Sequence, residues 1–190
     1  VDQARAASRW AEWAAREARR TDARLHLVHA WLWHPYVYGP LAGVSVPPPS
    51  EDPQREWAER LPRETADKLL ADHPGLSVTA ERVAEQPVTA LLAAAEDAEL
   101  LVLGSRGLGT VAGFLTGSVG QAVVARSRTP VVLVRADVPP AGTAGHEEVV
   151  LGLDLEHPDA SVIEFAFRAA ARRATDLHVV HGWSLPPYYG

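Results

Sequence analysis

Residues Leu100 to Ser118 read LLVLGSRGLGTVAGFLTGS. The stretch opens with an unbroken apolar run, Leu100 to Leu103, of the kind found where both faces of a strand are covered. Five glycines follow between Gly104 and Ser118. Downstream, Ser118 to about Arg126 has helical character, and Pro130-Val-Val-Leu-Val-Arg135 is a second apolar strand. A strand, a glycine-rich connection, a helix and a strand in that order form one unit of an α/β fold with parallel strands.

The same alternation runs upstream. Trp10, Trp13, Ala14 and Ala18 recur at helical spacing and precede the strand LHLVHAW, Leu25 to Trp31. A Pro-rich stretch, Val46 to Pro53, leads to a charged helix over about Arg55 to Ala71, and the alternating Leu76 to Val83 suits an edge strand. Pro87 opens a further helix with Val88, Leu91, Leu92 and Ala95 on one face. The expected fold is α/β, a parallel sheet with helices on both faces.

An internal repeat sets the domain organisation. LHLVHAW at Leu25 to Trp31 returns as LHVVHGW at Leu177 to Trp183, an offset of 152 residues. That offset also carries Asp2 onto Asp154, Glu12 onto Glu164, Trp13 onto Phe165, Arg16 onto Arg168 and Arg20 onto Arg172. The period suits whole domains rather than a solenoid unit. The sequence therefore predicts a tandem, with domain 1 over residues 1–138, a Pro-, Gly- and Ala-rich linker over 139–147, and the beginning of domain 2 over 148–190. EVVLGLD, Glu148 to Asp154, precedes the repeat in the second copy, whereas Val1-Asp2 matches only its tail. The expectation is a first domain lacking most of its opening strand, a partial second copy, and a natural start upstream of Val1.

Composition narrows the function. Of the 190 residues, 47% are hydrophobic and 22% charged, ordinary for a globular chain with a real core. A formal charge of -6 disfavours nucleic acid and anionic membrane surfaces. Without cysteine there is no disulfide, thiolate metal site or thiol nucleophile. No signal-like or spanning apolar segment stands in the sequence, so the cytoplasm is the expected location.

In open parallel sheets, ligands bind beyond the carboxyl ends of the strands. Gly104 and Gly107 are expected to form a bend there whose amides face outward, and Gly117-Ser118 to start a helix with unpaired amides and a positive dipole end. Two anion-favouring backbone features suggest a polyphosphate. Arg106 lies beside them, suited either to a phosphate contact or to solvent.

Gly104, Gly107, Gly117 and Ser118 match G-x2-G-x9-G-(S/T) at every interval, and here the sequence resembles the ATP-binding branch of the universal stress proteins. The flanks LLVLGSRG and GSVGQAVVARSRTPVVLVR are also similar to that family. The resemblance implies a Rossmann-like five-stranded sheet of order 3-2-1-4-5. It implies ATP as ligand, with a divalent cation, Mg²⁺ by expectation. Asp2 takes the position of the acidic residue that contacts the nucleoside and Ala30 that of the backbone meeting adenine. Leu103 and Gly104 border nucleoside and phosphates, Gly107 the phosphates, and Gly117, Ser118 and Val119 close over the triphosphate. Where the family usually has Gly-Ser after the aspartate, this chain has Gln3-Ala4. Pairing through the last strand, as a homodimer or between tandem domains, is a further implication, and it also allows a dimerisation scaffold without nucleotide.

Other chemistry finds less support. His26 and His29, repeated as His178 and His181, point to opposite faces of a strand and cannot both reach one ion, so no metal site is expected. Ser105 has no evident base, and no catalytic residue is assigned; turnover is expected to be at most slow ATP hydrolysis. Trp31, Trp33, Tyr36 and Tyr38 suit core and lid better than a nucleic-acid platform. Gly107 to Ala112 also satisfies G-x-G-x-x-A, the dinucleotide pattern of oxidoreductases, but it follows a late strand and Gly113 and Gly117 interrupt its helix.

Overall fold

The computed structural model describes residues 2–32, 53–105, 117–135 and 148–182. The chain divides into two compact units, Val1–Val138 and Pro139–Gly190. In the first, α1 (Asp2–Thr21) leads to β1 (Leu25–Ala30), α2 (Pro53–Asp72), β2 (Val78–Val83), α3 (Pro87–Glu96), β3 (Leu101–Ser105), α4 (Ser118–Val124) and β4 (Val131–Arg135). In the second, β5 (Val149–Gly152), α5 (Ala160–Arg173) and β6 (Leu177–Val180) follow. Strand and helix alternate as the apolar pattern predicts, and every strand pair is parallel.

The sheets are smaller than expected. Among the described residues β1 pairs with β2, β3 with β4 and β5 with β6, giving three two-stranded sheets rather than one of five strands. Asp2 is already helical, so among the described residues no strand precedes α1 to bridge β1 and β3. Instead α1 itself touches β1, β3, β4 and α2. The helix begins well before the apolar stripe at Trp10, because Gln-Ala-Arg-Ala-Ala consists largely of strong helix formers that need no buried face.

The core of the first unit is built on small residues. Ala11, Ala15 and Ala18 of α1 pack with Leu69 of α2 and with Leu76, and Leu25, Leu27 and Val78 close the cluster. Alanines let helix and sheet backbones approach closely, and interior packing leaves little slack. After α2, His73-Pro74-Gly75-Leu76 turns the chain, with the Leu76 amide donating to the His73 carbonyl at 3.1 Å. Proline followed by a residue at φ +91° fits a type II turn, which glycine accepts without strain.

Both copies end their first helix alike. The Ala23 amide donates to the Ala18 carbonyl at 2.9 Å, and the Thr175 amide to the Ala170 carbonyl at 3.2 Å. Between each pair lies a left-handed residue, Asp22 at φ +53° and Ala174 at φ +49°. The 152-residue offset relates every member of the two caps, so the sequence repeat is matched in the backbone hydrogen bonds.

Candidate functional site

In each unit the helices run back against the parallel strands. α4 hands over to β4 through a short turn, where the Thr129 hydroxyl donates to the Ala95 carbonyl at 2.6 Å and the Leu101 amide to the Pro130 carbonyl at 2.9 Å. The carboxyl end of α4 therefore lies near the amino ends of β3 and β4, and its amino end faces the carboxyl side of that sheet. Gly117 is the N-cap there, with φ -56° and ψ 157°, and among the described residues no side-chain cap bond is made. Gly117, Ser118 and Val119 are exposed, and a Cβ added at Gly117 would meet nothing within 4 Å.

Gly104 has other surroundings. The sequence expectation puts it in a bend, but it lies inside β3, paired with Val134 of β4. A Cβ at Gly104 would fall on the indole of Trp10, from α1. Glycine is required here by a neighbouring side chain, because strand backbone and aromatic ring approach closer than any other residue allows. The Trp10 indole Nε1 is buried with no hydrogen-bond partner. Leu103, one residue earlier, pairs with Leu133 and is half-buried.

Ala30 ends β1 opposite Val83, and the Trp31 amide extends the ladder to the Val83 carbonyl at 3.0 Å. Around this strand end, Arg82 lies 5.9 Å from the Trp31 ring centroid and 3.7 Å from Glu59 Oε1. His29 meets Trp57 edge-on, with centroids 5.7 Å apart and planes at 88°. Burial first, and then the Arg82 charge, hold the His29 pKa below its ordinary value, so the ring is neutral near pH 7.

His26 lies on the opposite face, with Nδ1 2.8 Å from the Thr79 hydroxyl and Nε2 3.1 Å from Glu81. Among the described residues no group of three or more His, Asp or Glu is placed to hold a metal ion.

The structure thus brings Leu103 and Gly104 together on β3, places Gly117, Ser118 and Val119 at the start of α4, and sets Ala30 on a separate sheet. Asp2 is the first residue of α1. Its repeat partner Asp154 follows β5 in a loop, where Oδ1 accepts the Glu156 amide at 2.9 Å. Arg106 and Gly107 lie outside the described residues.

Two contacts escaped the sequence reading. One is Trp10 on Gly104, for which the signal is the mismatch of Trp10 with Val162 across the repeat. The other is Glu12, whose two carboxylate oxygens lie 3.0 and 3.1 Å from Nε2 of the buried His73, tying α1 to the end of α2.

These features define an α/β protein of parallel strand pairs with an open helix start on the carboxyl side of one pair. The family model described as "Universal stress protein family" matches residues 1–135, and the chain belongs to that family. A universal stress protein of Mycobacterium tuberculosis is 31% identical over 177 residues, 90% of this chain and 58% of that protein. One from Mycolicibacterium smegmatis is 30% identical over 201 residues, covering 98% of this chain and 65% of its own length. The chain thus spans less than two thirds of either relative. Among solved structures, a universal stress protein in complex with cAMP aligns at TM-score 0.50 and 28% identity, over 69% of this chain and 88% of that one. A universal stress protein from Archaeoglobus fulgidus aligns at TM-score 0.52 and 19% identity, over 67% of this chain and 87% of that one, a likeness of fold. No helix among the described residues is long and apolar enough to cross a membrane.

Proposed function

We propose that this chain binds an adenine nucleotide, ATP with Mg²⁺, and that occupancy regulates conformation or partner binding rather than feeding turnover. The observation that carries the reading is the exposed helix start at Gly117-Ser118, facing the carboxyl side of β3 and β4. Free first-turn amides suit phosphoryl oxygens. The solved relative in complex with cAMP supports adenine as the base. Gly104, Gly107, Gly117, Ser118 and Val119 would hold the phosphates with Arg106, while Asp2, Ala30 and Leu103 border the nucleoside. The fit is uneven, because Gly117 is open whereas Trp10 covers Gly104.

The site requires β1 and β3 to share a sheet of order 3-2-1-4-5, and the hydrogen-bond directions in the two units support part of that order. Leu25 donates its amide to the Ser77 carbonyl just before β2, and Trp31 to the Val83 carbonyl at its end. Val180, which corresponds to Val28, accepts from Leu153 beside β5. Successive residues of a strand turn their polar groups to alternate edges, so positions 25 and 31 use one edge and position 28 the other. A strand of this sequence can therefore be flanked on both sides, in the order third-second-first. A tandem of such domains, paired through Val131–Arg135 and working in the cytoplasm, is part of the same proposal.

Calorimetric titration with ATP and Mg²⁺, and separately with cAMP, tests it. Binding should raise stability by about 2.7 kcal/mol at a hundredfold excess over Kd. Gly117→Trp should abolish the heat. Absence of heat and of thermal shift for both ligands would exclude the reading and leave the dimerisation scaffold.

A further inference from the structure

We infer that α5 is a self-pairing surface, whose face centred on Phe167 takes a second copy of this chain with the two helices antiparallel about a twofold axis through that residue. Phe167 is 60% exposed, Ala160, Ala171 and Ala174 are exposed, and Ile163 is half-buried. Ala160 and Ala174 lie seven residues to either side of Phe167, and Ile163 and Ala171 four residues to either side. That spacing keeps all five on one helix face. A pattern that reads alike in both directions from its centre meets itself when two helices run antiparallel, which is what an isologous twofold contact requires.

Charge fits the same occupant. Glu164 and Arg168, 3.2 Å apart, line one flank of this face. Antiparallel pairing about Phe167 brings Glu164 of each copy beside Arg168 of the other, so opposite charges border the apolar seam.

The repeat argues against cover by a helix seated as α2 sits on α1. Ala15, which corresponds to Phe167, is 0% exposed in its cluster with Leu69 and Leu76. A phenyl ring at that position would claim the space those leucines fill. The ends of the face differ as well, because Ser8, Arg19 and Asp22 of the first copy correspond to Ala160, Ala171 and Ala174. The face on α5 is therefore apolar from the first residue of the helix to its C-cap, beyond the part that α2 covers in the first unit.

One helix from each copy makes a small contact, so the pairing is reversible, with Kd on the order of 100 µM. In dilute solution it is dissociated, and changes at Phe167 then leave the stability of the single chain nearly unchanged. Sedimentation equilibrium of the whole chain at about 10 µM and about 1 mM tests the inference, and the weight-average mass of the wild type should rise by about half between them. Phe167→Glu, which sets two carboxylates against each other at the axis, should abolish that rise while keeping Tm of the dilute protein within about 2 °C. Glu164→Arg should weaken pairing about fivefold, and adding Arg168→Glu should restore it.

A wild type whose mass does not rise would overturn the inference. So would a rise that Phe167→Glu leaves unchanged, which would favour pairing through Val131–Arg135 instead. A double variant as weak as Glu164→Arg alone would overturn the antiparallel register.

Discussion

α1 and α5 carry buried alanines at matching positions into different company. Ala14 and Ala18 are buried in α1, and their partners Ala166 and Ala170 are buried in α5. One step around the helix the copies part, because Ala15 is 0% exposed while its partner Phe167 is 60% exposed. In the first unit Leu69 and Leu76, at the carboxyl end of α2 and just beyond it, cover that second face. The repeated motif thus specifies how a helix sits on its strands, and the residues from the next helix decide how much more of it is core.

Exchanging residues across the repeat breaks this contrast most sharply. Ala15→Phe should cost about 3 kcal/mol by overpacking, whereas Phe167→Ala should stay within about 0.5 kcal/mol, both read from chemical denaturation. A similar cost for the two would mean that the second face of α1 is not closed.

The paired glutamates differ less. Glu12 satisfies His73, a buried ring whose Nδ1 already lacks a partner, while Glu164 makes an exposed pair with Arg168 at 3.2 Å. Glu12→Ala should therefore cost about 2 kcal/mol and Glu164→Ala about 0.3 kcal/mol.

The caps should respond together. Asp22→Gly and Ala174→Gly each relieve a left-handed side chain and should each stabilise by about 1 kcal/mol. Unequal responses would show that the shared cap geometry hides different strain.

The smallest effect concerns pH. With its pKa lowered, native His29 binds a proton less readily than the unfolded chain, so its contribution is complete above the ordinary value of 6.5 and is lost as pH falls below it toward the native value. Denaturation at pH 5.5 and 7.5 should show a loss on acidification that His29→Asn reduces. Asp159, whose pKa is lowered by the Ser161 hydroxyl and then by the Ser161 and Val162 amides, contributes above the usual carboxylate range and loses that contribution only at more acidic pH.

Much of the fold was legible because periodicity is local. Leu25 to Ala30 form β1 and Leu177 to Val180 form β6, Pro87 starts α3, and the apolar run at Leu100 falls on β3 apart from its first residue. Helix ends were less legible, since Asp22 and Ala174 occupy positions usually marked by glycine. Of the site, Gly117 at a helix start could be read from spacing. Gly104 could not, because its glycine answers to Trp10, 94 residues away in sequence, and local pattern carries no trace of that contact. The Glu12–His73 tie is equally non-local.

Five of the six tryptophans, Trp10, Trp13, Trp31, Trp33 and Trp57, belong to the first unit, and only Trp183 to the second. Intrinsic emission is therefore largely a report on one copy. Trp57 stands edge-on to His29, and a protonated imidazole quenches indole, so dimming on mild acidification would follow one histidine's titration. Trp57 emission would thus read the protonation of His29 from within the first unit.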